Sequence, residues 1–320
     1  VYISKSLILE GGYDETNWAA GSNPSLNPTT LDAQNTGRVV YVSVQADNVI
    51  LRSLILTDGL TSGMGGGIYN AGGLTLEGTT VAGSETDEGG GGVFNFDGPL
   101  TVRNSIIRDN ISGDDGGGGI HGSGDGTVVV ENSTITGNTT WYFGGGIYSD
   151  MPLTVTNGTV ISANVVGPDF GNGGGIYANG VFAILDSHVV SNTAKGTGGS
   201  YGGGIFVSDG PARVVRTAIY SNTAQSGGGI VGSNGAPVLI DGGIIVSNTA
   251  TNGDGGGIFA DDLAELTLQH ARVQGNNATG SGGGLAIESG AGLSMSHSVI
   301  SSNTASTGDG GGCLLYTSPS

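Results

Sequence analysis

The amino-acid sequence predicts an all-β fold: a right-handed single-stranded parallel β-helix, which is a solenoid of about 11 coils of ~27 residues. Three observations predict this fold. Glycine contributes 66 of the 320 residues and proline only 8. A glycine run followed by an apolar residue recurs along the chain. The apolar stretches between these runs are rich in β-branched residues and shorter than a helix requires.

The first repeated feature is the glycine run. Gly65–Tyr69 returns unchanged as Gly144–Tyr148 and Gly173–Tyr177. Successive apolar residues that close these runs lie 25 to 29 residues apart, and this interval is too short for a propeller blade, which needs about 40 residues or more. The apolar residues are Ile68, Val93, Ile120, Ile147, Ile176, Ile205, Ile230, Ile258, Leu285 and Cys313.

The second repeated feature is an apolar residue followed three positions later by asparagine. An asparagine at the same place in every coil can donate a hydrogen bond from its amide to the asparagine of the next coil. We therefore predict a structural ladder. Its members are Asn110, Asn138, Asn164, Asn192, Asn222, Asn248, Asn276 and Asn303.

Between the two markers lies an alternating triplet, of which Leu74-Thr75-Leu76 is an example. Alternation predicts a strand with both leucines inward and Thr75 outward. With Ile68 and Val81 on two further strands, each unit has three short strands. One unit cannot bury its apolar face alone, so we expect parallel stacking of successive units. The right-handed sense follows from the crossover preference of parallel strands.

The predicted domain organisation is one β-helix over residues 1–312 and a non-repeat tail over residues 313–320. Ile3–Leu9 matches Ile50–Leu56 at a separation of 47 residues, which places an inserted loop near residues 13–30. The chain begins inside a coil, so we expect it to be part of a longer chain. The tail abandons the repeat and resembles a translated sequencing adapter, and it is interpreted as an artefact.

Charge excludes several classes of function. The chain has 9 basic and 27 acidic residues, and its net charge is −18. Such a surface repels phosphate backbones, which argues against nucleic-acid binding. No apolar stretch is long enough for a transmembrane helix. The single cysteine, Cys313, excludes an internal disulfide framework.

The paired repeat motifs, such as Gly144–Ile147 and Ile135-Thr136-Gly137-Asn138, resemble the repeats of chlamydial polymorphic outer-membrane proteins. The resemblance covers roughly residues 60–312 and departs from the family by using glycine for the small residue and isoleucine or valine for phenylalanine. It implies a secreted or cell-surface, outer-membrane-associated adhesin or structural passenger. The implied partner is a glycan or a host or cell-surface protein.

The alternative is a carbohydrate-active β-helix, either a polysaccharide lyase or a glycoside hydrolase. Its candidate catalytic residues are Asp114, Asp115 and His121, because paired carboxylates can act as acid and base. However, the histidine follows the acids by only six residues, and no Arg-x-Lys follows it. A lyase would need a basic residue near bound acids, as Arg213 and Arg216 are, but ion pairs with acids on neighbouring coils explain these arginines equally well.

No cofactor is expected, except that Ca²⁺ is a candidate ligand. The acidic glycine-rich turns at Asp114, Asp115 and Asp254 offer oxygen ligands for Ca²⁺. His270 and His297 lie 27 residues apart at the same repeat position, so we expect them to stack. A polar ladder explains this pair more simply than a metal site.

An aromatic residue follows the marker residue in three consecutive coils, at Tyr148, Tyr177 and Phe206. If the marker points inward, these rings point outward and form a stripe. Such a stripe can bind sugars or a partner surface, or it can stabilise neighbouring strands by ring stacking. Stacking is the favoured interpretation. Taken together, these patterns predict a non-catalytic adhesin or structural segment.

Overall fold

The computed structural model describes the chain except for Trp18, Ala20, Asp169, Thr197 and residues 316–320. The strands of the described residues stack in parallel as a β-solenoid of about eleven turns. The predicted all-β solenoid is therefore confirmed. Trp18, in the predicted inserted loop, lies outside the described residues. Among the described residues, no helix has the length and apolar character needed to cross a membrane.

In the described residues, four parallel sheets run along the solenoid, and each complete coil after the first contributes strands to them in the order A, B, C and D. Sheet A consists of Tyr2–Ile3, Val40–Val42, Ile68–Asn70, Val93–Phe96, Ile120–Ser123, Ile147–Ser149, Ile176–Ala178, Ile205–Val207, Ile230–Gly232, Ile258–Ala260, Leu285–Ile287 and Cys313–Leu315. Sheet B consists of Leu7–Glu10, Val49–Arg52, Leu74–Glu77, Pro99–Arg103, Thr127–Glu131, Leu153–Thr156, Phe182–Leu185, Ala212–Val215, Pro237–Asp241, Glu265–Gln269 and Gly292–Ser296.

The remaining strands are shorter. Sheet C consists of Thr29–Asp32, Leu54–Thr57, Thr80–Ala82, Ile106–Arg108, Thr134–Thr136, Val160–Ser162, His188–Val190, Ala218–Tyr220, Ile244–Val246, Arg272–Gln274 and Val299–Ser301. Sheet D consists of Leu60–Thr61, Glu85–Thr86, Ile111–Ser112, Thr139–Thr140, Val165–Val166, Thr193–Ala194, Thr223–Ala224, Thr249–Ala250, Asn277–Ala278 and Thr304–Ala305. Gly171–Asn172 and Ser200–Tyr201 pair in a separate two-stranded sheet.

In sheet A, the apolar residues that follow the glycine runs pair with one another from coil to coil. Val93 pairs in parallel with Ile68 on one side and with Ile120 on the other. Leu74 and Leu76 are buried, whereas Thr75 between them is partly exposed, so the alternation in the sequence correctly assigned the inward face. Inward side chains from sheets A, B and C form one continuous apolar core.

Sheet D differs from the three-stranded unit expected from the sequence. Its strands have two residues each, which is too short for any alternation to register as a strand pattern. They follow the asparagine ladder directly, as Ile111 follows Asn110.

The register predicted for the first coil is wrong. Ile3 pairs with Val42 in sheet A, and Leu9 pairs with Leu51 in sheet B, which is a separation of 42 residues rather than 47. The first coil must supply a strand to sheet A as well as to sheet B, and the buried Ile3 does so. The inserted loop leaves the coil between Leu7–Glu10 and Thr29–Asp32.

The glycine triplets have two separate structural causes. The third glycine before the marker residue, such as Gly117 before Ile120, has a φ of +66°, a conformation that glycine adopts without strain. The next two glycines are required by close contact with the following coil. A Cβ atom at Gly118 would lie 2.5 Å from the carbonyl oxygen of Gly145, and one at Gly119 would lie 2.6 Å from that of Gly146.

The last described residues continue the solenoid. Cys313–Leu315, assigned from the sequence to the non-repeat tail, pair in parallel with Leu285–Ile287. The boundary expected at residue 312 thus falls just before the final strand of sheet A.

Candidate ligand-binding groove

The predicted asparagine ladder is confirmed, and its geometry is that of a structural element. Asn138 Oδ1 accepts hydrogen bonds from both Nδ2 and the backbone N of Asn110, at 2.9 and 3.1 Å. Asn138 Nδ2 donates to Asn164 Oδ1 at 3.0 Å and to the carbonyl oxygen of Ile107 at 3.0 Å. The same contacts repeat through the ladder as far as Asn303. From Asn110 to Asn276 these amides are buried and hydrogen-bonded within the protein, so they do not face a ligand.

A second polar ladder was missed in the sequence. The backbone N of Thr79 donates to Ser105 Oγ and that of Ser105 to Ser133 Oγ, both at 3.1 Å. These hydroxyls lie at the turn between sheets B and C and are buried. The signal was available, since serine or threonine stands two residues after the end of sheet B in most coils.

The predicted histidine stack is confirmed. The rings of His270 and His297 lie 5.2 Å apart and nearly parallel, and His270 Nδ1 lies 3.1 Å from Asp241 Oδ1. Arg216 forms the expected ion pair between coils, with two contacts of 2.7 and 2.6 Å to the Asp186 carboxylate. That pairing raises the pKa of the guanidinium and lowers that of the carboxyl group. Both side chains are exposed, so solvent screens the pair.

The three candidate catalytic residues differ in their exposure to solvent. Asp114 and Asp115 are exposed in the loop before Gly116. His121 is 6% exposed, and its Nδ1 lies 3.3 Å from the carbonyl oxygen of Gly116. Burial lowers the pKa of this histidine, opposed by its contact with Gly116 and the nearby charges of Asp150 and Asp115. Asp115 and His121 border the same space beside Gly89.

The candidate calcium residues do not form one site. Asp254 lies five coils from Asp114 and Asp115, which is about 24 Å along the axis at the usual spacing between strands. Its carboxylate accepts a hydrogen bond from the backbone N of Ser281. Within the described part of the chain, no three His, Cys, Asp or Glu side chains are arranged to hold a metal ion. Calcium binding stays a prediction.

The outward face of sheet A carries a continuous file of neighbouring rings, here called the aromatic file, in which all pairs are stacked except the two tilted pairs that His121 forms. Its eight members have neighbouring ring centroids 4.6 to 5.4 Å apart. The side-to-side stacking expected for Tyr148, Tyr177 and Phe206 is therefore confirmed. The file consists of Tyr2, Tyr41, Tyr69, Phe94, His121, Tyr148, Tyr177 and Phe206.

Beyond Phe206 the same repeat position holds Val231, Phe259 and Ala286, which pack together as a second apolar cluster. Here the outward face of sheet A forms the floor of a groove of about 390 Å³. We call it the sheet A groove. Its lining residues are Phe143, Asn172, Tyr177, Tyr201, Phe206, Ser208, Val231, Ser233, Asn234, Phe259, Asp261 and Asp262.

One wall of the groove is built by loops that precede sheet A. The small sheet of Gly171–Asn172 and Ser200–Tyr201 holds this wall, and the backbone N of Tyr201 also donates to Asn172 Oδ1 at 3.0 Å. Tyr201 is 37% exposed, and its ring lies parallel to that of Phe259 at 6.3 Å. The sequence held a signal for this wall, because the two 29-residue intervals between marker residues fall where these loops are inserted.

The opposite wall is polar and acidic. It is built by the turns after sheet A, where Asn234 Nδ2 donates to Ser208 Oγ at 2.9 Å and Ser233 Oγ donates to Asp262 Oδ2 at 3.4 Å. The groove lining includes no lysine or arginine among the described residues. Burial raises the pKa of Tyr177 on the floor. The groove thus pairs an apolar floor with hydrogen-bonding groups on its rim.

Sequence reasoning found the floor residues Tyr177 and Phe206 and missed the walls of the groove. Tyr148 stacks on Tyr177 at 5.3 Å, just beyond the groove lining. Its Oη donates to Asp150 Oδ1 at 2.8 Å, and burial together with this bond raises its pKa. Comparison of the chain with protein-family models, with curated proteins and with solved structures gave no match.

Proposed function

We propose that the chain is a secreted or cell-surface β-solenoid segment that serves adhesion without catalysis and binds a glycan in the sheet A groove. The observation that carries the proposal is the composition of the groove: an aromatic and aliphatic floor beside a rim of carboxylate, amide and hydroxyl groups. Binding sites for small organic ligands combine an apolar lining with a few polar groups that fix orientation.

The rest of the molecule supports a scaffold role. The asparagine and hydroxyl ladders use their polar side chains to join one coil to the next. Because each coil contacts mainly its neighbours, such an array presents a ligand surface at a fixed distance along a rod. The resemblance of the repeats to polymorphic outer-membrane proteins supports display at a cell surface.

The second candidate function is a polysaccharide lyase or hydrolase, favoured by the position of Asp115 beside His121. One feature weighs against this function. His121 is buried between the rings of Phe94 and Tyr148, so its imidazole does not face a substrate in solution. A polymer substrate could contact Asp115 from solvent, but it could contact His121 only if the rings of the aromatic file moved apart.

The test is binding of the purified, immobilised chain to a panel of polysaccharides. Removing a large aromatic contact at the centre of a binding site costs about 2 kcal/mol or more, so we expect Phe206→Ala to weaken binding at least about tenfold. Tyr69→Ala is the matched control, since Tyr69 occupies the same repeat position five coils from Phe206. Equal losses in both variants would contradict the proposal.

The same panel separates the two functions. We expect binding without release of new chain ends, with or without added Ca²⁺. Reproducible depolymerisation that is abolished by Asp115→Asn would establish the enzyme instead.

A further inference from the structure

We infer that the sheet A groove is specific for an uncharged glycan chain that lies along the solenoid axis. This inference rests on the proposed function and names the ligand class of the same groove. It follows from the direction of the groove, from the orientation of the floor rings and from the charge of the rim.

The direction of the groove is set by the coil spacing. Its floor residues Tyr177, Phe206, Val231 and Phe259 occupy one repeat position in four successive coils. At the usual spacing of about 4.8 Å between strands, the floor extends about 14 Å along the axis. An extended chain of several sugars can use this length, whereas a single sugar contacts only part of it.

The orientation of the floor rings deprives a cationic ligand of the attraction of an open ring face, which leaves it only the attraction of the solvent-screened rim carboxylates. The planes of Tyr177 and Phe206 differ by only 12°, and their centroids lie 5.0 Å apart along the file. Each of these rings therefore covers a face of its neighbour and turns an edge toward the groove. Ring edges carry partial positive charge, and attraction of a cation requires a free ring face. A protonated amino sugar or a lysine side chain gains little from such a floor.

The rim argues against an acidic ligand. Asp261 and Asp262 line the groove, no lysine or arginine lines it among the described residues, and the chain carries a net charge of −18. A uronic acid would bring like charges together without a neutralising partner. Sugar hydroxyls are suited to this rim, because they donate to the carboxylates and accept from the amide of Asn234.

The experiment measures affinity by titration calorimetry for four hexasaccharide probes and one disaccharide. The uncharged probes are the hexamers of glucose (cellohexaose) and of N-acetylglucosamine, with cellobiose as the short control. The charged probes are the hexamers of galacturonic acid and of glucosamine. We expect at least one uncharged hexamer to bind about tenfold more tightly than either charged hexamer and than cellobiose, a gap of about 1.4 kcal/mol.

Variants tie the result to the groove. Tyr201→Ala removes an exposed side chain of the wall, so it tests the site with little risk to folding, and we expect about tenfold weaker binding of the uncharged hexamer. The double variant Asp261→Asn, Asp262→Asn removes the negative rim and retains carbonyl acceptors. It should tighten binding of the galacturonate hexamer several-fold and change the affinity for the uncharged hexamer less than threefold. Tyr69→Ala again serves as the control.

Each outcome bears on a different claim. Tightest binding of the galacturonate or glucosamine hexamer, lost in Tyr201→Ala, overturns the inference about charge and leaves the proposed function standing. Binding of uncharged glycans that neither Tyr201→Ala nor Phe206→Ala weakens overturns the assignment to the groove. If no glycan binds, the proposed function fails together with the inference.

Discussion

The asparagine ladder shows how one residue type can join the coils. From Asn138 to Asn276, each asparagine uses its side-chain oxygen twice and its side-chain nitrogen twice, as Asn222 does toward Asn192, Asn248 and Val189. A buried donor without an acceptor costs free energy. Substitution therefore harms the neighbouring coil as well as the coil that carries it.

We predict that Asn222→Ala destabilises the middle of the solenoid. The backbone N and Nδ2 of Asn192 both lose the acceptor that Asn222 Oδ1 provides. At about 1 to 3 kcal/mol for each unsatisfied donor, we expect the free energy of local opening to fall by about 3 kcal/mol. Hydrogen exchange of the amides of Asn192 and Thr193 measures this change.

The control is Asn303→Ala, which removes the same two acceptor contacts from Asn276. Asn303 is only half-buried, so water can replace the lost side chain and the effect should be smaller. Equal exchange rates in wild type and Asn222→Ala would show that the ladder adds no stability.

At the scale of the element, the aromatic file covers much of the outward face of sheet A, and His121 is the one histidine in this file. The ring lies 4.8 Å from that of Phe94 and 4.6 Å from that of Tyr148. Burial lowers its pKa below the ordinary value of 6.5. The folded protein therefore binds a proton at this site less readily than the unfolded chain does.

This difference predicts a pH-dependent stability. The contribution of neutral His121 is fully present above pH 6.5 and is lost as the pH falls from 6.5 toward the folded pKa. We expect His121→Phe to retain the stacking, to change stability at neutral pH by less than about 1.5 kcal/mol, and to lose less stability than wild type on acidification. Urea unfolding at a series of pH values measures both effects.

The matched control is His188→Gln, because His188 is exposed on sheet C. This variant should follow the pH dependence of the wild type. If His121→Phe also follows it, the buried imidazole does not control acid stability.

At the scale of the whole molecule, the charge opposes the compact state. A net charge of −18 is held on a rod whose turns repeat acidic residues, and like charges on neighbouring coils repel. At physiological ionic strength the Debye length is about 8 Å, so charges more than two coils apart are largely screened.

We predict that the thermal midpoint rises when NaCl is raised from low to physiological ionic strength. The triple variant Asp87→Asn, Asp114→Asn, Asp125→Asn removes three exposed turn charges, and it should be more stable than wild type at low salt and less sensitive to salt. Circular dichroism during heating measures the midpoint. A midpoint that does not depend on salt in wild type would rule out repulsion between coils as a determinant of stability.

The sequence by itself determined the features that every coil repeats. The glycine runs set the period, the Leu74-Thr75-Leu76 alternation assigned the inward face, and the asparagine spacing predicted the ladder. These features are predictable because each depends on local conformation and on contact with an identical position one coil away. A sequence pattern that recurs in every coil can be recognised from one chain alone.

Only the tertiary structure decided the features that occur once. The register of Ile3 and the walls of the sheet A groove each depend on loops that differ from coil to coil. Tyr201 faces Phe259 although 58 residues separate them. The loop that carries Tyr201 reaches along the stacked coils to the strand of sheet A two coils further on. The spacing of residues in the repeat does not predict this contact, because the irregular loops do not follow the ~27-residue period.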